Sequence, residues 1–161
     1  MLYVLLAGLL IGADQLVKYL VRAHIPLGES VPFLPHIMNL TYCQNTGAAF
    51  SLLSRHTWLL TLVSLAASAV LIFLVVKVFR HPAARLMLTV VLAGAVGNLI
   101  DRVRFRFVTD MFQTIFIRFA VFNVADICVV LGGIAFCVYY FFFHDKVTGK
   151  ESGHDASASD R

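Results

Sequence analysis

The sequence predicts an all-α membrane protein built from four transmembrane helices, and three observations carry that prediction. Of 161 residues, 60% are hydrophobic and only 14% are charged, where a soluble domain usually carries about 45–50% and about 25%. Mean hydropathy is +0.84. The apolar residues also come in blocks long enough to cross a bilayer, so the membrane is the expected solvent. Too little chain remains outside those blocks for a separate soluble domain. The net charge of +4 sits on residues flanking the blocks, where topology and lipid headgroups account for it. Nucleic acid is therefore not an expected partner.

The first span covers about 2–21 and is interrupted by Asp14, Gln15 and Lys18. It lacks the basic start of a signal peptide and runs into charged residues rather than a small-residue cleavage site, so it reads as a retained helix. Residues 58–76 carry no charge and match the length a hydrocarbon core demands. The third span, 86–100, is shorter and ends in Asn98 and Asp101; the fourth, 124–143, is apolar apart from Asp126. Residues 144–161 are small and polar and read as a disordered cytoplasmic tail. Gly8-x-x-x-Gly12 and Ala93-x-x-x-Gly97 place small residues four apart, a spacing that lets membrane helices approach closely. Either motif alone could equally serve a homodimer; a monomer is the expectation.

Orientation follows from the connections. The short loop 77–85 carries Lys77, Arg80 and Arg85 with no acid, which makes it cytoplasmic by the positive-inside rule. Both termini then lie inside, and the connections 22–57 and 101–123 lie outside. Arg102, Arg104, Arg106 and Arg118 pull against this assignment, and Asp101 and Asp110 offset them in part. With this orientation Asp14, Asn45, Asn98, Asp101, Asp110, Asn123 and Asp126 all gather toward the outer face.

An ionisable group inside a bilayer costs about 2.5–3.5 kcal/mol, which makes each one a functional candidate. Asp14 and Lys18 are four apart on one helical face and can pair. Gly94, Asn98 and Asp101 form an i, i+4, i+7 stripe, and an Asp101–Arg102 ion pair could lock the helix end. Residues 38–51 alternate like a strand and then turn at Asn45-Thr-Gly47. Asn123 to Asp126 has the spacing of a capping box, so Asp126 alone reads as a helix cap. Asp110 changes that reading. It lies in a long, apolar outer connection (101–123), and such connections usually carry function or structure of their own. If this one folds back over the helix mouths, it brings Asp110 to Asp126.

Two carboxylates in one site hold a single proton between them, one serving as base on a water while the other polarises a carbonyl. Such a pair titrates as a unit and needs neither metal nor cofactor. Serine catalysis has little support, because no histidine lies inside a span, and no HExxH or comparable metal pattern occurs. Cys43, Cys128 and Cys137 lack metal-type spacing and read as apolar packers.

Five segments together are similar to one family, the lipoprotein signal peptidases or signal peptidase II. They are Asp14-Gln-Leu-Val-Lys18, Asn45-Thr-Gly-Ala-Ala-Phe-Ser51, Gly97-Asn-Leu-Ile-Asp-Arg-Val103, Val108-Thr-Asp-Met-Phe112 and Phe122-Asn-Val-Ala-Asp126. They follow the family's order and spacing over nearly the whole chain, up to Phe143. The resemblance implies an aspartic peptidase of the bacterial cytoplasmic membrane that cleaves prolipoproteins before a diacylglyceryl-modified cysteine. It implies Asp110 and Asp126 as catalytic dyad, and Asp14, Lys18, Asn45, Gly47, Gly97, Asn98, Asp101, Arg102 and Asn123 as substrate-binding or supporting residues. It also implies a small extracytoplasmic β-cradle at about 24–56 and a surface helix at about 102–122, with membrane lipid as the other partner. Thr109 stands where the family often has Val. A small proton-coupled carrier is the alternative, and it calls for acids spread through the membrane depth.

Overall fold

The computed structural model describes residues 1–47 and 57–155, with side chains through Phe143. It is mostly helical. Helix α1 spans Leu2–His24, α2 spans Thr57–Phe73 and continues as a π-helical segment over Leu74–Val78, α3 spans Pro82–Phe105, and α4 spans Val124–Asp155. Each contains a stretch long and apolar enough to cross a membrane, the last one being Val124–Phe143. Large apolar side chains such as Leu5, Leu9, Leu62, Ile72, Leu131 and Phe141 are exposed along them. On a protein with four such helices this is the lipid-facing surface.

Helix α3 packs against the other three. Its buried stripe is Ala84, Leu88, Thr89, Ala93, Gly94, Gly97 and Asp101, mostly small residues. A Cβ on Gly94 would collide with the Ala125 carbonyl and lie 2.8 Å from Val129 Cγ2. The α3–α4 approach therefore depends on glycine. Gly8 and Gly12 behave differently, since nothing lies within 4 Å of a Cβ built on either. That motif faces away from the bundle.

Helix α3 is longer than the charge-free stretch 86–100 because the charges beyond it are partnered. Asp101 is ion-paired inside the bundle, and the helix stops only where Arg106 adopts a left-handed φ of 64°. At its other end His81 Nδ1 accepts from the Ala83 amide, with Pro82 at the first helical position. Helix α4 likewise runs past 143 to Asp155, so the expected tail at 144–161 begins as helix; 156–161 lie outside the described residues. Hydropathy marks where a span leaves lipid, not where its backbone hydrogen bonds end.

Above the helix ends lies a three-stranded antiparallel sheet in the order β1 (Ser30–Leu34), β2 (Met38–Asn45), β3 (Val108–Thr114). Strand β3 corrects the expectation of a surface helix. None of residues 106–123 is helical; instead Cys43 pairs with Asp110, Gln44 with Thr109 and Asn45 with Val108. The left-handed Arg106 breaks the helix, and Val108 and Thr109 are β-branched residues that suit a strand. The cradle is thus built from both the α1–α2 and the α3–α4 connections and not from 24–56 alone. Val21 and Ile25 pack on Met111, which seats the sheet on the end of α1. Residues 48–56, including the Ala48 to Ser51 part of the turn motif, lie outside the described residues.

Gly94→Ala should lower thermal stability in detergent by about 2 kcal/mol, the scale of overpacking. Gly133→Ala, where a Cβ meets nothing within 4 Å, should leave it unchanged or slightly raised. Unfolding followed by intrinsic fluorescence compares the two.

Candidate active site

Lys18 is fully buried, and its ammonium is tolerable there only because all three donors are used. Nζ lies 2.9 Å from Asp14 Oδ2 and 3.3 Å from Asp101 Oδ2, and donates to Asn98 Oδ1 at 2.9 Å. Asp14 Oδ1 accepts from the Ala125 amide on α4 at 2.9 Å. Gln15 Nε2 reaches Asp14 Oδ2, the Gly97 carbonyl and Asp101 Oδ1, each at 3.1 Å. Gly97 permits this contact, since a Cβ there would sit 2.7 Å from Asp14 Oδ2. Asp101 Oδ2 also accepts from the Thr109 amide at 2.9 Å, tying strand β3 to helix α3.

Two asparagines carry the network to the candidate dyad. Asn98 donates through Nδ2 to Asp126 Oδ1 at 2.8 Å, and its Oδ1 accepts from Asn123 Nδ2 as well as from Lys18. Asn123 is fully buried and also donates to Asp110 Oδ1 at 2.6 Å. The capping box forms in full: Asp126 N donates to Asn123 Oδ1, and Asn123 N donates to Asp126 Oδ2. Capping and site-building are therefore one arrangement, because the cap fixes where the Asp126 carboxylate points. On the other side Asn45 Nδ2 donates to Asp110 Oδ2 at 2.9 Å. The Gly47 amide donates to Asn45 Oδ1, an Asx turn that holds the side chain in that orientation.

Asp110 and Asp126 open onto one cavity of about 470 Å³. Asn45, Asn98 and Arg102 share its polar end, while Phe119, Ile127, Val130 and Leu131 form an apolar wall. Arg102 also reaches Ser64 Oγ on α2 at 3.4 Å. Burial lifts the Asp110 carboxyl from its ordinary value to about 6, and the neighbouring Asp126 charge adds to the rise. Donation from Asn45 and Asn123 and the charge of Lys18 work against it. Burial and Asp110 also push the Cys43 thiol up, which keeps it neutral and a poor nucleophile. Among the described residues no group of His, Cys, Asp or Glu is arranged to hold a metal ion.

Every site residue expected from the sequence therefore belongs to one connected cluster. Asp110, Asp126, Asn45, Asn98 and Arg102 face the cavity, and Asp14, Lys18, Gly47, Gly97, Asp101 and Asn123 stand behind them. Gln15, Arg22 and Thr109 join the cluster without being among the site residues the sequence predicts. A glutamine within an apolar span beside Asp14 was the available signal for the first. Thr109 shows only as a departure from the family's usual Val, and Arg22 shows nothing in its local sequence.

Residues 6–142 match the family described as signal peptidase (SPase) II. The chain is 42% identical over 150 residues to a lipoprotein signal peptidase of Enterococcus faecalis, covering 92% of each chain. It is 40% identical to one of Clostridioides difficile, covering 91% of this chain and 99% of that one. Two solved bacterial membrane enzymes superpose with TM-scores of 0.79 at 27% and 28% identity, over 89% and 88% of this chain and 88% and 93% of theirs.

Lys18→Met leaves Asp14 and Asp101 buried without their cation and should destabilise the protein by about 3–5 kcal/mol. Adding Asp101→Asn should recover part of that loss. Thermal unfolding of both variants in detergent checks the order.

Proposed function

The chain belongs to the signal peptidase II family, and on that premise we propose that it is an aspartic endopeptidase acting on diacylglyceryl-modified prolipoproteins. It removes the signal peptide by cleaving before the lipidated cysteine. The observation that carries this reading is the cavity itself, with two carboxylates at a polar end and an apolar wall beside them. Val130 and Leu131 on that wall are more than half exposed on the outside of α4, so acyl chains can reach the polar end without leaving the bilayer.

In the proposed cycle Asp126 enters as carboxylate and Asp110 holds the pair's proton. Asp126 removes a proton from water as the water oxygen bonds to the scissile carbonyl carbon, and Asp110 gives its proton to the carbonyl oxygen. The gem-diol then collapses and the C–N bond breaks. Asp126 passes its proton to the leaving amine, and Asp110 takes one back from a hydroxyl. Arg102 at the same end offers a fixed positive charge to polarise and orient the peptide carbonyls.

The proposed orientation has both termini in the cytoplasm and the site at the outer face of the bacterial cytoplasmic membrane. The basic loop between α2 and α3 supports it, as do the site's elements, which are the C-terminal parts of α1 and α3 and the start of α4. The proton-carrier alternative has no support. Its acids should be spread through the bilayer, whereas Asp14, Asp101, Asp110 and Asp126 join one network on a peptidase fold.

Incubating the purified protein with a diacylglyceryl prolipoprotein tests the reading. Asp110→Asn and Asp126→Asn should each lower cleavage at least a hundredfold while remaining folded. Near wild-type cleavage by either would overturn the dyad. Because the proton on Asp110 is required, kcat/KM should fall as pH rises through about 6. The corresponding limb in kcat should lie higher, since bound substrate excludes water and favours the neutral carboxyl.

A further inference from the structure

Strand β3 holds Asp110 within hydrogen-bond reach of Asn45 and Asn123, and its neighbour Thr109 is bonded on two sides. The Thr109 amide donates to Asp101 Oδ2 at 2.9 Å, and its hydroxyl oxygen accepts from Arg22 Nη1 at 2.8 Å. Thr109 is fully buried, so neither bond is exchanged for water without cost. Arg22 is itself held. It lies in the last turn of α1, and its guanidinium sits 4.6 Å from the Phe105 ring centroid at the end of α3. The Phe105 ring stacks on Phe107, one residue before β3 begins.

We propose that Arg22 and Thr109 form a latch that positions Asp110 for catalysis, with Arg22 as a positioning residue acting through the Thr109 hydroxyl. One charged side chain joins the ends of α1 and α3 to the strand carrying Asp110. The Asp101 bond fixes the Thr109 backbone. The Arg22 bond fixes its side chain and so the rotation of the strand about its axis, which sets the direction of the next side chain. Hydrogen bonds to a charged donor are stronger than neutral ones, and a small displacement of a reacting group is costly in rate. The latch therefore acts on turnover more than on substrate binding. This inference rests on the proposed role of Asp110.

The test is steady-state kinetics of prolipoprotein cleavage with Arg22→Gln, Thr109→Val, their double variant and Thr109→Ser. Each of Arg22→Gln and Thr109→Val should lower kcat about tenfold with KM within twofold of wild type. The double variant should be no slower than the slower single, because both remove the same bond. Thr109→Ser keeps the hydroxyl and should stay within about threefold of wild type. Wild-type kcat in either single variant would overturn the latch. So would effects that multiply in the double variant, or a Thr109→Ser loss as large as that of Thr109→Val. Asp110→Asn separates this failure from failure of the active-site assignment. If Asp110→Asn is inactive and the latch variants are normal, only the latch is wrong; if Asp110→Asn cleaves, the site reading falls first.

Discussion

The arrangement depends on a single buried cation. An unpaired ammonium inside a membrane bundle is prohibitively expensive, so Lys18 dictates that three acceptors converge on it. Asp14 is one helical turn away on the same face of α1; Asp101 and Asn98 come from α3. Once they are held there, their remaining bonds are committed outward. Asp14 takes the Ala125 amide, Asp101 takes the Thr109 amide, and Asn98 reaches Asp126. The positions of α4, β3 and the second carboxylate follow from satisfying Lys18. Half-satisfied polar networks are worse than none in a low-dielectric interior, which makes this one all-or-none.

The network also explains how two carboxylates can differ in a shared cavity. Asp126 is placed by a helix cap and Asp110 by a strand, and the two approach the cavity from different elements. The desolvation that lifts Asp110 comes from β3, an edge strand of the sheet, being buried against the ends of α1 and α3. A carboxyl raised in this way is the natural holder of a single shared proton. An ordinary local motif, the capping box at Asn123–Asp126, thereby also positions one carboxylate of the proposed dyad without any change in its own bonds.

Much of this is legible in the sequence because membrane insertion makes polar residues conspicuous. Long apolar blocks mark the helices, and the acids inside or beside them stand out against that background. The positive-inside reading puts Asp14, Asp101, Asp110 and Asp126 toward one face, and only a fold-back of the connection 101–123 brings Asp110 to Asp126. What escaped were contacts whose partners lie far along the chain. Thr109 looks like a neutral variation beside Asp110 until Arg22, 87 residues earlier, is seen to bond it. Strand β3 escaped because its partner strand lies in the α1–α2 connection, far along the chain, so no local pattern announces the pairing. The ends of α3 escaped for the opposite reason. Charges at Asp101 and Arg102 suggest the edge of a span, yet they are buried or half-buried inside it.

Burial in the folded site keeps a proton on Asp110 well above the ordinary range of an aspartate. An infrared titration of the carboxyl C=O stretch, with isotope-labelled aspartate, reads that proton directly. A protonated-carboxyl band with a midpoint near pH 6 that is absent in Asp110→Asn is the expected result. Titration of every aspartate of the folded protein near pH 4, with no difference between wild type and Asp110→Asn above pH 5, would contradict it.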